Sequence, residues 1–100
     1  RGIVYKFVFE NGSIRRYSAM AKDGKWGNDV VYFSSYEVTQ KRDSGGHNFI
    51  QVSFGDLNSD LEHAPQQIAF IDKCKTVAWF INGNPCGLLT YGDYEWSDSL

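Results

Sequence analysis

The chain has little of what usually advertises a function. In 100 residues it holds two cysteines, two prolines and one methionine, and its net charge is only −2. Two cysteines are too few for a disulfide scaffold. The basic residues never run longer than Arg15-Arg16 or Lys41-Arg42. Phosphate neutralisation supplies most of the affinity of a nucleic-acid binder, so this balance argues against nucleic acid as partner. No apolar stretch approaches the ~20 residues that span a bilayer, so no membrane span is expected. The glycines sit singly or in pairs, with no phosphate loop, dinucleotide fingerprint, His-Glu-x-x-His or Gly-x-Ser-x-Gly motif. No cofactor and no metal are implied. The first residue is Arg1, without methionine or recognisable leader, which reads as a fragment, a processed form or a chain whose disordered ends are missing, and its targeting is not legible.

What is present is aromatic and strand-forming. Sixteen aromatics and 42% hydrophobic residues suit one globular domain over residues 1–100. Strand candidates follow one another at Ile3–Glu10, Ser13–Met20, Val30–Phe33, Ser35–Arg42, His47–Phe54, Gln66–Ile71, Thr76–Asn82 and Cys86–Tyr91. Turn residues separate them, and Leu57–Ala64 alone has a helical look, with Asn58 or Ser59 as cap and Pro65 as stop. Short strands with regular turns predict an all-β fold: a small antiparallel up-and-down β-barrel, or a strongly curved sandwich, of about eight strands.

Two hairpins can be registered. In YKFVFENGSIRRY the Asn11-Gly12 pair is a strong two-residue hairpin signal, which pairs Phe9 with Ile14 and Phe7 with Arg16. An arginine then shares a face with Tyr5, Phe7, Phe9 and Ile14. In QQIAFIDKCKTVAWFIN a four-residue loop pairs Phe70 with Val77 and Ile68 with Trp79, with Ile81 beyond. For the middle hairpin, closing on DSGG sets Tyr36, Val38 and Gln40 on a face with Phe49 and Gln51. An odd loop aligns Val38 with Ile50 and Val52 instead, and both registers stay open.

Cys74 falls in the turn DKCK and Cys86 in the turn GNPCG, with a strand of ~23 Å between them at ~3.3 Å per residue. A disulfide needs Cα atoms within ~7 Å, so two free thiols are expected, which favours a cytoplasmic location. Asn11-Gly12-Ser13 is a glycosylation sequon, but the turn already accounts for it.

The opening strand ending in FENG, the hairpin YEVTQKRDSGGHNFIQVSF and the segment IAFIDKCKTVAWFI together resemble the small calycin-like barrels of the MoaF and phenolic-acid-decarboxylase type. The resemblance spans roughly residues 3–83 and is one of pattern. It implies a barrel holding a small aromatic or carboxylated molecule among tyrosines, an arginine and a glutamate. Tyr17, Arg16 and Glu37 are the nearest residue types in this chain. The enzymes carry a longer C-terminal part than this chain does.

Arg16 then has three readings. It turns outward through a different loop length, it pairs inside with a carboxylate such as Glu37, or it waits inside for a ligand's carboxylate. The last makes Arg16, Tyr5, Phe7, Tyr17, Glu37 and Trp79 the candidate binding residues for a small-molecule ligand, in a binding protein or a small lyase or isomerase. The alternative is an interaction module, binding another protein through an edge strand or the aromatic tail TYGDYEWSDSL; a homodimer is compatible with either reading. His47 and His63 show no ligand spacing and read as exposed loop residues. Asp56, Asp60 and Glu62 read as a solvated loop, because their spacing is not that of a calcium loop.

Overall fold

The computed structural model describes residues 2–20, 24–27, 29–71, 76–90 and 93–98. Among these residues nine strands run in chain order: β1 (Ile3–Glu10), β2 (Ser13–Met20), β3 (Val30–Phe33), β4 (Glu37–Arg42), β5 (Asn48–Phe54), β6 (Gln66–Ile71), β7 (Thr76–Ile81), β8 (Asn84–Thr90) and β9 (Tyr94–Trp96). Alternation of apolar with polar residues makes most of them strands with one inward face. Among the described residues one 3-10 turn, Leu61–His63, interrupts the loop after β5. No helix among the described residues is long and apolar enough to cross a membrane.

The strands form two sheets, ordered β3-β2-β1-β9 and β4-β5-β6-β7-β8. Within β1–β3 and within β4–β8, strands adjacent in sequence are paired, as in an up-and-down meander. The sheet is not closed: the chain leaves one layer between β3 and β4 and returns between β8 and β9, giving an open sandwich. The last strand, β9, lies parallel to β1, with Phe7 opposite Tyr94 and Phe9 opposite Trp96. The aromatic tail is thus partly a strand of this fold; Tyr91 lies outside the described residues.

Both registered hairpins form as expected. Phe7 pairs with Arg16 and Phe9 with Ile14, around Asn11 and Gly12 at φ 57° and 74°. Both angles are positive, as the tight two-residue turn requires. Ile68 pairs with Trp79 and Phe70 with Val77. The middle hairpin takes the odd loop: Arg42 pairs with Asn48 and Val38 with Val52, so residues 43–47 form the connection. Asp43 explains the extra residue, because its Oδ1 accepts from the backbone N–H of both Gly45 and His47, at 2.9 Å each.

Cys86 corrects the turn placement. The turn is Asn82-Gly83, and Cys86 lies within β8, where the pairing with β7 shifts between Trp79–Gly87 and Phe80–Pro85. It is an exposed free thiol. Cys74 lies outside the described residues.

The inward faces fill the space between the layers with Phe7, Phe9, Ile14, Val31 and Phe33 from one sheet and Val52, Phe54, Ile68, Val77, Trp79 and Leu89 from the other. Aromatic edges meet aromatic faces here, with Phe7 against Trp79 at 5.1 Å and Phe33 against Phe54 at 4.8 Å. Such edge-to-face pairs add to the gain from apolar burial.

Candidate functional site

The residue paired with Phe7 decides the local chemistry. Arg16 points inward and is 8% exposed. Its Cζ lies 5.1 Å from the centre of the Tyr5 ring, a cation–π distance. Tyr5 in turn meets Trp79 edge-on at 5.2 Å. The nearest carboxylate is Glu62, whose Oε2 is 3.7 Å from Arg16 Nη2, and the Glu62 side chain is 64% exposed. Arg16 Nε is buried and has no hydrogen-bond partner among the described residues. Of the three guanidinium nitrogens, Nε is the one that is both buried and unpartnered.

The loop 55–65 brings Glu62 to this place. Asp56 N–H donates to His63 O at 2.7 Å, closing the loop at its neck. Gly55 sits there at φ +93°, and a Cβ on it would lie 2.2 Å from Ala64 O. Asp60, rather than Asn58 or Ser59, caps the 3-10 turn through a 2.9 Å bond from His63 N–H. Gln66, fully buried, ties the turn to the core: its Nε2 donates to Glu62 O at 2.9 Å and its Oε1 accepts from Trp79 Nε1 at 3.0 Å.

His63 leaves the other side of this loop. It is half-buried rather than exposed, and its ring meets Phe33 at 5.5 Å. Its Nδ1 lies 2.8 Å from Asp60 Oδ1. A carboxylate only accepts, so Nδ1 is the donor of this pair. The same bond is the main cause holding the Asp60 carboxyl below its usual range. His63 lines a cleft of about 450 Å³ at the crossing from β3 to β4, together with Tyr32, Ser34, Tyr36, Glu37 and Asp56. His47 is exposed beside Asp43.

The structure brings together four of the six candidate residues: Arg16, Tyr5, Phe7 and Trp79. It does not bring the other two to them. Tyr17 lies on the outward face of β2, opposite Lys6, with the Arg15 guanidinium 6.0 Å from its ring. Glu37 is exposed on β4, opposite Ser53, and lines the cleft rather than meeting Arg16. None of Arg16, Tyr5, Phe7 and Trp79 lines that cleft.

Sequence reasoning missed Glu62, Gln66, His63 and Asp98. Gln66 was within reach, since strict alternation back from Ile68 puts it on the inward face. Asp60 and His63 carry a local signal too, an acid three residues before the residue it caps. Asp98 carries none: its oxygens accept from the N–H groups of Asn11 at 2.6 Å and Gly12 at 2.9 Å, and from the Tyr36 hydroxyl, far apart in sequence. The Tyr36 hydroxyl is the main cause holding the Asp98 carboxyl below its usual range, with the two backbone N–H groups adding to it.

Among the described residues no group of three or more His, Cys, Asp or Glu side chains is placed to hold a metal ion. No family model, curated protein or solved structure matches this chain.

Proposed function

We propose that the protein binds a small molecule carrying a carboxylate, with the Arg16 guanidinium as its anchor. The observation that carries this reading is the buried Arg16 with an unpartnered Nε and one distant, largely solvated carboxylate beside it. A charge buried with so little compensation is costly, and a ligand carboxylate would supply the paired hydrogen bonds that a planar fork is suited to. Tyr5 and Trp79 would give an aromatic ligand its apolar contact. The ligand's anion would displace the Glu62 side chain, which is already largely in solvent. The calycin-like resemblance supports this class of ligand by analogy.

The test is a titration with benzoate, and with benzyl alcohol as its uncharged counterpart, followed by tryptophan fluorescence. Benzoate is expected to bind saturably and the alcohol much more weakly. Arg16→Leu should lower benzoate affinity by about 1.5–3 kcal/mol, the worth of a charged hydrogen bond. Glu62→Gln should raise it, by removing the competing anion. Equal affinity of both probes, or of wild type and Arg16→Leu, would contradict the proposal.

One observation favours a second reading, an interaction module acting through an edge strand. All six residues of β4 are exposed, on both faces of the strand.

A further inference from the structure

The edges of the two sheets are not equivalent. β3 has four residues and β9 three. β8 carries Pro85 and a break in register beside Cys86. Short strands, prolines and bulges are the usual devices that stop an edge from pairing with another chain. β4 has none of them: it is six residues long and pairs with β5 without a register shift. Its protective features are charges, Glu37, Lys41 and Arg42, and Glu37 and Lys41 lie on the same face four residues apart.

We propose that β4 is a self-association edge, on which two copies of this chain pair antiparallel about a two-fold axis at Thr39. This deepens the interaction-module reading and does not depend on ligand binding at Arg16. A two-fold axis normal to the sheet keeps every residue on its own face, so a residue can lie opposite only residues of its own parity. Centring on Thr39 places Glu37 opposite Lys41 of the second copy, twice over, with the two Thr39 side chains adjacent at the axis. Val38 then faces Gln40. Centring on Val38 or Gln40 leaves both charges without an opposite charge across the axis. Within one strand the two residues stand ~13 Å apart, at ~3.3 Å per residue, so they cannot pair with each other. Neither takes part in any ion pair of the described residues. At Glu37 and Lys41 the edge is therefore charge-matched to itself, with Arg42 opposite Tyr36, and opposite charges directly across a strand pair favour pairing.

The pairing adds about four to six backbone hydrogen bonds, depending on whether Thr39 occupies a hydrogen-bonded or a non-hydrogen-bonded position. It joins two five-stranded sheets into one continuous sheet. Contact along one strand edge buries less than the ~1,200 Å² of a stable specific interface, so the dimer is weak and concentration-dependent.

Sedimentation of the whole chain over increasing concentration tests this. A monomer–dimer equilibrium is expected. Glu37→Lys and Lys41→Glu should each weaken it about tenfold, because each turns two attractions into two repulsions. The double exchange, Glu37→Lys with Lys41→Glu, should restore it, since the charges again match across the axis. All three changes are at exposed positions, and an unchanged circular dichroism melt confirms the fold in each. As a second measurement, Thr39→Cys in a Cys74→Ser, Cys86→Ser background should cross-link to a disulfide dimer under mild oxidation, and Gln40→Cys should not. A chain that stays monomeric, a double exchange no better than the single reversals, or equal cross-linking at both positions would overturn the proposal.

Discussion

Arg16 shows how much a single inward charge asks of its surroundings. Its ring partner Tyr5 and the half-formed pair with Glu62 compensate it only in part. Replacing a buried charge by a hydrophobe of similar bulk is often neutral or stabilising. Arg16→Leu is therefore expected to leave the denaturation midpoint unchanged or raise it. A loss of more than ~3 kcal/mol, the cost of breaking a well-made buried pair, would mean that the guanidinium is structural. Trp79 is the opposite case. It packs on Tyr5 and Phe7 and donates to Gln66. Trp79→Ala should cost ~3–5 kcal/mol in urea titration, the range for a large aromatic removed from a core. A loss under ~1 kcal/mol would place it at the surface. The parity that puts Arg16 on one face with Phe7 and Phe9 followed from the two-residue Asn-Gly turn, with an outward setting through another loop length still open, and the inward face of Trp79 followed from its pairing with Ile68 across a four-residue loop. The partner of Arg16 was not legible. Glu62 reaches it from a loop whose path depends on one glycine against Ala64 and on a buried glutamine, and neither has a periodic signal.

At the scale of elements, two ties hold the meander's loose parts. The first is the neck of the loop 55–65. Gly55→Ala would set a Cβ 2.2 Å from Ala64 O at a positive φ, so the loop cannot close as it does. A destabilisation above ~1 kcal/mol is expected, and with it a changed response to benzoate, since Glu62 and Gln66 lose their register. The second is Asp98, which fastens the end of β9 to the β1–β2 turn and to Tyr36 before β4. Its lowered carboxyl pKa means that stability is present above the ordinary Asp value and is lost as pH falls through the folded value. Tyr36 is pushed up to about 12, first by burial and then by Asp98. Its share of stability is therefore intact below the ordinary tyrosine value, ~10, and is lost as pH rises from there toward about 12. Thermal melts across both limbs should show each loss in wild type. Asp98→Asn should flatten the acid limb, and an unchanged limb would show that the tie contributes nothing.

For the whole molecule, the strands and their order were legible, because each lies between turn residues with defined backbone demands. Three features were not. The odd loop at 43–47 follows from the Asp43 side chain bonding two backbone N–H groups, which a pattern of apolar residues does not record. The short β9 follows from long-range pairing with β1. The openness of the sandwich follows from the two crossings, β3 to β4 and β8 to β9, at which the chain changes sheet without pairing, and local alternation does not record where a chain changes sheet. The site inherits this division: the sheets present Arg16, Tyr5, Phe7 and Trp79, while the loop decides what faces the guanidinium. The most direct measurement is the Arg16 Nε–H signal in a ¹H–¹⁵N spectrum during a benzoate titration. The account predicts a saturable shift with slowed hydrogen exchange, absent with benzyl alcohol, as the unpartnered N–H gains an acceptor. A signal that benzoate leaves unmoved, while the other amides also stay in place, would contradict it.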